Sequence, residues 1–123
     1  MGEEPVNKKT GLRHMFSALR YSLQGVGRLL GEQAFRHELM AFAGGLVLLA
    51  LVGAGPFSFL GFTILMLLLF AVEALNTAIE EIVDRVSPEI SPVGKHAKDL
   101  GSFACFCLIL ANGIFLVWAV FFG

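Results

Sequence analysis

Charge is confined to two parts of this chain. All nine Lys and Arg and all ten Asp and Glu fall within residues 1–38 and 73–99, so the runs 39–72 and 100–123 carry no charge. A helix needs about 20 apolar residues to cross a bilayer. The short sequence VGAGPF interrupts the first run. The pattern therefore predicts an all-α membrane protein whose three transmembrane helices lie at 33–55, 57–79 and 100–122.

The composition agrees with a membrane protein. The 123 residues are 56% hydrophobic and 15% charged, which is more apolar surface than a soluble domain of this length hides. The length suits a single domain, 1–123, and the net charge of −1 gives no indication of nucleic-acid binding. Cys105 and Cys107 have neither zinc-site nor CxxC spacing, so we expect them to be small apolar filler.

The charged segments set the expected orientation. The N-terminal arm and the connection at 80–99 must lie on one side of the membrane. Together with the residues that flank them they hold every Lys and Arg, so the positive-inside rule makes that side cytoplasmic. We expect the cytoplasmic (inner) membrane of a bacterium, with the N-terminus inside and the C-terminus outside.

The N-terminal arm is predicted to form a surface helix. Residues 1–10 are expected to be a flexible tail, and 12–31 an amphipathic helix that lies on the membrane. Its basic face carries Arg13, Arg20 and Arg28. A soluble amphipathic helix packed on a partner protein would show the same periodicity.

An acidic stripe begins before the second span ends. In VEALNTAIEEIVDR, residues 72–85, the helical period places Glu73, Asn76, Glu80 and Asp84 within about 80° of arc. A charged group inside a span is costly and usually faces a partner or a wet cavity. Such a stripe can hold helices together by hydrogen bonds. Alternatively, its carboxylates can bind a divalent cation and act as a base.

Several other charged residues are expected at the same membrane depth. They include Glu32 at the start of the first span, and Lys98 and Asp99 at the start of the third. Carboxylates for a metal ion and cations for phosphate are what phosphoryl transfer requires. The sequence has no GxxxxGK[ST] and no Gly-rich kinase loop, so a nucleotide would have to bind at the membrane edge.

The motifs resemble those of the small integral-membrane diacylglycerol kinases of bacteria. EALNTAIEEIVDR fills every fixed position of that family's E-x-x-N-[ST]-A-I-E-x-x-[VI]-D signature, and AKDLGS follows at the family's spacing. The upstream sequences EQAFRHE and GLRHMFSALRYSLQG also resemble family elements. The resemblance covers residues 11 to about 102.

The resemblance implies a homotrimer with shared sites that transfers the γ-phosphoryl of MgATP to diacylglycerol. Glu73 would be the base at the lipid hydroxyl, oriented by Asn76. Glu32 and Glu80 would bind Mg²⁺. The residues expected around the nucleotide are Tyr21, Glu32, Glu80, Lys98, Asp99, Ser87 and His14. Those expected along the lipid substrate are Ser22, Phe35, Arg36, Glu73 and Ser102.

The chain departs from the family pattern at some positions. His14 and Gly27 stand where the family usually has Arg, Ser87 replaces a frequent Gly, and His37 replaces a common Gln. These changes affect the expected nucleotide contacts of the arm and leave the signature intact.

Two other functions fit parts of the pattern. A sister group with the same signature phosphorylates undecaprenol, although EQAFRHE and the length of the SPEISPVG loop resemble the diacylglycerol branch more closely. A non-enzymatic subunit, with an ion pathway along Glu73, Glu80 and Asp84 or a role in assembly, would also explain a buried carboxylate. Such a subunit would not require ATP.

Overall fold

The chain folds into four helices joined by short connections. The computed structural model describes residues 8–89 and 91–123, so most of the predicted tail at 1–10 lies outside the described residues. The helices are α1 (Lys8–Leu29), α2 (Gln33–Leu51), α3 (Pro56–Val86) and α4 (Pro92–Phe122). The all-helical prediction is confirmed for the part of the chain that the structure describes.

Three of these helices, α2, α3 and α4, are long and apolar enough to cross a membrane. In their most apolar windows only 22%, 28% and 17% of the residues, respectively, are buried within the protomer. Most of their apolar surface therefore faces outward, which suits a lipid environment or neighbouring helices and does not suit water.

A tight turn joins α2 to α3 and ends α2 at Leu51, earlier than the predicted limit at residue 55. Gly53 has a φ of +70°, a conformation that glycine adopts without strain. Its N–H donates to the carbonyl of Ala50, and the next N–H donates to Leu49, which is a Schellman motif. Pro56 then begins α3, where its missing N–H costs no hydrogen bond.

At the opposite end of α3, a short link leads to α4. Helix α3 continues without a break to Val86, and α4 begins at Pro92, so both helices extend into the cytoplasmic connection predicted at 80–99. Ser91 is the N-cap, and its Oγ accepts a hydrogen bond from the N–H of Gly94 at 3.0 Å. We call the region formed by residues 80–99 the polar end.

The apolar core lies between α2, α3 and α4, away from the polar end. Its buried residues are Leu49, Phe62, Met66, Leu69 and Ala119. Glycines bring the helices close together: a Cβ on Gly45 would overlap the ring of Phe62, and one on Gly61 would overlap Phe115. The core ends one helical turn before Glu73, so rigid packing supports the first residue of the acidic stripe.

Candidate functional site

The first two members of the acidic stripe are buried among the helices. Only 6% of Glu73 and 8% of Asn76 is exposed, and both lie on α3 beyond the apolar core. Burying a carboxylate is costly unless it has partners or a task. The buried position of Glu73 is compatible with both expectations for the stripe, namely holding helices together and acting in a reaction.

Residues from the two neighbouring helices face Glu73. The carboxyl group of Glu38, on α2, lies within interaction range of it, as does the thiol of Cys105 on α4. Glu38 is itself buried, and among the described residues its Oε1 has no hydrogen-bond partner. From the sequence, Glu38 was expected only as a supporting group and Cys105 only as small apolar filler. The available signal for Glu38 was its position, the last charged residue before an apolar run.

A hydrogen bond joins the buried part of the stripe to its exposed part. Asn76 Nδ2 donates to Oε1 of Glu80, one helical turn further along α3, at 3.1 Å. Glu80 is half-buried, and Lys98 of α4 lies within electrostatic range of it. The predicted metal ligand Glu80 is thus held by Asn76, the residue predicted to orient the base.

The polar end contains a pocket of about 240 Å³ between the end of α3 and the start of α4. Three predicted nucleotide residues line it, namely Ser87, Lys98 and Asp99. Lys98 forms an ion pair with Asp84, and Asp99 forms one with Lys95 at 2.7 Å. The lining of the pocket thus combines two lysines with three carboxylates, and each lysine is paired with one of them. The structure therefore brings Ser87, Lys98 and Asp99 together.

The other predicted nucleotide residues of the arm lie elsewhere on the protomer. Tyr21 and His14 are exposed on α1, and the lining of the pocket at the polar end includes neither. The guanidinium of Arg20 lies 5.6 Å from the centroid of the Tyr21 ring. One protomer thus forms only the part of the predicted nucleotide site that α3 and α4 supply.

The two predicted metal ligands, Glu32 and Glu80, have different partners. The carboxylate of Glu32 pairs with Arg28 at 2.8 Å, and Arg28 also pairs with Glu81 of α3. The pKa of the Arg28 guanidinium is raised, chiefly by its hydrogen bond to Glu32 and next by that to Glu81, so it stays charged. Sequence reasoning missed this link between α1 and α3.

The described residues place no group of three or more His, Cys, Asp or Glu side chains where it could hold a metal ion. Magnesium, however, often uses one or two carboxylates together with the phosphates of its nucleotide. Glu80, half-buried and fixed by Asn76, suits that use. The donor set therefore fits a metal ion that arrives with the nucleotide better than a resident one.

A larger, mostly apolar groove of about 580 Å³ runs between α1, α2 and α3. Ser22 and Phe35, both predicted to contact lipid, line it, and Phe35 packs edge-on against Phe70 with ring centroids 5.3 Å apart. Arg36 instead donates to the carbonyl of Leu30 at 2.9 Å, which helps to end α1. Ser102 is exposed on α4 and does not line the groove.

Comparison with known proteins gives a consistent result. The family model of the prokaryotic diacylglycerol kinases matches residues 20–122. The chain is 61% identical to a diacylglycerol kinase of Sinorhizobium sp, over 96% of this chain and 86% of the relative. It is 41% identical to that of Pseudomonas aeruginosa, over 97% and 96%. It is 36% identical to that of Escherichia coli K12, over 94% and 98%. The chain belongs to the prokaryotic diacylglycerol kinase family.

Proposed function

We propose that this protein transfers the γ-phosphoryl group of ATP, bound with Mg²⁺, to the free hydroxyl of diacylglycerol. The hydroxyl oxygen forms a bond to the γ-phosphorus, and the bond between that phosphorus and the β,γ-bridging oxygen breaks. ADP leaves, the hydroxyl proton passes to Glu73, and the lipid product is phosphatidic acid. The names of the relatives support diacylglycerol as the acceptor.

The observation that carries this proposal is the position of Glu73, Asn76 and Glu80 along α3, with Glu73 and Asn76 buried and Asn76 hydrogen-bonded to Glu80. Glu73 is buried between the helices, and we expect it to lie at the depth of a hydroxyl just beneath the lipid headgroups. Glu80 lies one helical turn beyond Asn76, beside the pocket at the polar end. The geometry can therefore place a base on the lipid and a metal ligand on the nucleotide about 10 Å apart along one helix.

In this mechanism the protein contributes mainly position and charge, as in other phosphoryl transfers. Glu80 and Glu32 hold the magnesium ion of the nucleotide, and this ion neutralises phosphate charge. Lys98 contacts a phosphate oxygen, and Asp99 lies nearer the sugar or base. Ser87 lines the same pocket, while Tyr21 and His14 flank the adenine from the arm.

The lipid approaches along the groove between α1, α2 and α3. Its acyl chains fit the apolar lining, with Ser22 and Phe35 beside them. Arg36 and Ser102 contact the lipid nearer the membrane surface. Glu73 does not line this groove, so in this proposal the lipid hydroxyl extends beyond the groove to reach Glu73, while the nucleotide approaches from water.

The working unit is a homotrimer in the bacterial cytoplasmic membrane, with sites shared between protomers. Two features support sharing: Glu32 lies with Arg28 and not with Glu80, and the arm residues lie outside the pocket at the polar end. A neighbouring protomer can supply the missing groups. The polar end and the N-terminus face the cytoplasm by the positive-inside rule, and the C-terminus faces outward.

The proposal is tested by transfer of labelled phosphate in mixed micelles. Purified protein receives labelled ATP and Mg²⁺, with diacylglycerol and undecaprenol offered in parallel samples. We expect labelled phosphatidic acid and a much weaker product from undecaprenol. Label in undecaprenyl phosphate alone would keep the chemistry and change the acceptor. Absence of label in either lipid, with folded protein, would refute the kinase proposal.

A further inference from the structure

Gly101, on α4, lies directly against the carboxamide of Asn76. Gly101 is buried. If it carried a Cβ, the three nearest side-chain atoms would all belong to Asn76: the Cβ would overlap Oδ1, lie 3.0 Å from Cγ and lie 3.6 Å from the Asn76 Cβ. The absent side chain of Gly101 thus leaves the space that the carboxamide occupies.

The hydrogen bond to Glu80 fixes which way the carboxamide points, and Gly101 leaves room for it in that position. Asn76 Nδ2 donates to Glu80 at 3.1 Å, and Oδ1 is directed toward α4, where it is buried and has no hydrogen-bond partner among the described residues. Rotating the amide by half a turn would place Oδ1 against the carboxylate of Glu80, and two acceptors cannot hydrogen-bond. Only one of the two amide orientations therefore serves Glu80.

A methyl group at position 101 would remove this arrangement. The carboxamide would have to rotate away from Glu80, or α4 would have to move away from α3. Interiors are packed too closely to absorb an added methyl without such a shift. Rotation of the carboxamide releases Glu80 from its hydrogen bond, whereas movement of α4 alone would leave that bond intact, because Asn76 and Glu80 both lie on α3.

We propose that Gly101 is a positioning residue that seats Asn76, so that Asn76 holds Glu80 in place for the metal-bound nucleotide. This inference rests on the proposed kinase function. Gly101 acts through Asn76 and makes no contact with either substrate. Its role is specific to the side of α3 that faces α4.

The test compares Gly101→Ala with the unchanged protein in the micelle assay. We expect the KM for MgATP to rise by roughly tenfold or more, the scale of a lost hydrogen bond to a charged group, while the KM for diacylglycerol stays within about twofold. A merely structural defect would lower the number of active molecules and leave both KM values unchanged. Unchanged kinetics, or loss of rate alone, would overturn the proposal.

A double-mutant cycle identifies Asn76 as the intermediary. In the Asn76→Ala background no carboxamide lies beside Gly101, so adding Gly101→Ala should leave the kinetics unchanged and should not lower the thermal unfolding temperature further. Additive losses from the two substitutions would show that Gly101 acts independently of Asn76 and would refute the proposal. The unfolding measurement gives this result even if a variant has no measurable activity.

Gly113→Ala is the matched control on the same helix, because a Cβ there meets nothing within 4 Å in the protomer. Replacing glycine by alanine in a helix otherwise favours folding, so this variant should retain the kinetics of the unchanged protein. Failure of the unchanged protein to phosphorylate lipid would refute the proposed function. Normal activity of that protein together with an unaffected Gly101→Ala variant would refute only the role of Gly101.

Discussion

Helix α3 presents two different surfaces at the polar end. On the side facing α4, Asn76 is buried, its carboxamide fits against Gly101, and it fixes Glu80 through a hydrogen bond. On the side facing α1, Glu81 pairs with Arg28 through side chains that are 53% and 48% exposed. Neighbouring glutamates on one helix thus lie in very different environments.

The difference indicates how the two sides can function. A buried side chain that is fixed by packing holds one geometry, which a reaction requires of its base and metal ligands. An exposed ion pair contributes little to stability and exchanges partners easily. We therefore expect the side facing α4 to control chemistry and nucleotide binding. The side facing α1 should mainly help to hold the first helix against α3.

Among the substitutions that test this difference, Glu73→Gln should lower activity the most. The amide preserves the shape of the side chain but cannot accept the hydroxyl proton, so we expect turnover to fall by about 10²–10⁴-fold, the usual contribution of a general base. MgATP binding should change little, because Glu73 acts on the lipid. Steady-state phosphate transfer and nucleotide titration of the same sample measure the two effects.

The control for Glu73→Gln is its thermal unfolding, which should show a folded protein in the same micelles. Near-normal turnover by a folded variant would mean that Glu73 is not the base. Its burial between α2 and α4 would then require a purely structural explanation.

Glu80→Gln should have the next largest effect and a different kinetic form. Replacing a carboxylate that binds the metal of the nucleotide should weaken MgATP binding by at least about tenfold. Even mutation of residues that only hydrogen-bond to metal ligands commonly lowers metal affinity by that factor. The KM for diacylglycerol should stay nearly constant. Titration with Mg²⁺ at fixed ATP measures the change, and an unaltered magnesium dependence would remove Glu80 from the metal site.

Asp84→Asn tests the outer edge of the side of α3 that faces α4. Asp84 pairs with Lys98 across the mouth of the pocket, but both side chains are largely open to water. When this pair is lost, Lys98 stays charged and still has the carboxylate of Glu80 nearby. We expect the KM for MgATP to rise by no more than about fivefold with turnover retained. A loss as large as that of Glu80→Gln would make Asp84 a direct ligand.

Local sequence patterns predicted the parts of this molecule that depend on local physics. The uncharged runs predicted three long apolar helices, and the pair Ser91-Pro92 is where the structure begins α4. The helical period placed Glu73, Asn76 and Glu80 on one side of a helix, and the bond from Asn76 to Glu80 agrees with that placement.

Contacts between helices could not be predicted in this way. Arg28 and Glu81 are 53 residues apart along the chain, and no local pattern pairs them. The approach of Glu38 to Glu73, and the fit of Asn76 against Gly101, likewise depend on how the helices pack. The helices also extend into the cytoplasmic connection predicted at 80–99, because charge marks where a membrane ends, whereas a helix continues until its sequence stops it.

Glu81→Gln should have the smallest effect, and it provides the sharpest contrast with the variant of its neighbour Glu80. Arg28 retains its pairing with Glu32 when Glu81 loses its charge, so we expect activity and both KM values to stay within about twofold at physiological salt. At low ionic strength, where exposed charges are less screened, a small drop in unfolding temperature should appear. A tenfold loss of activity would place Arg28 and Glu81 within the site. The difference between the two sides of α3 would then no longer separate chemistry from support.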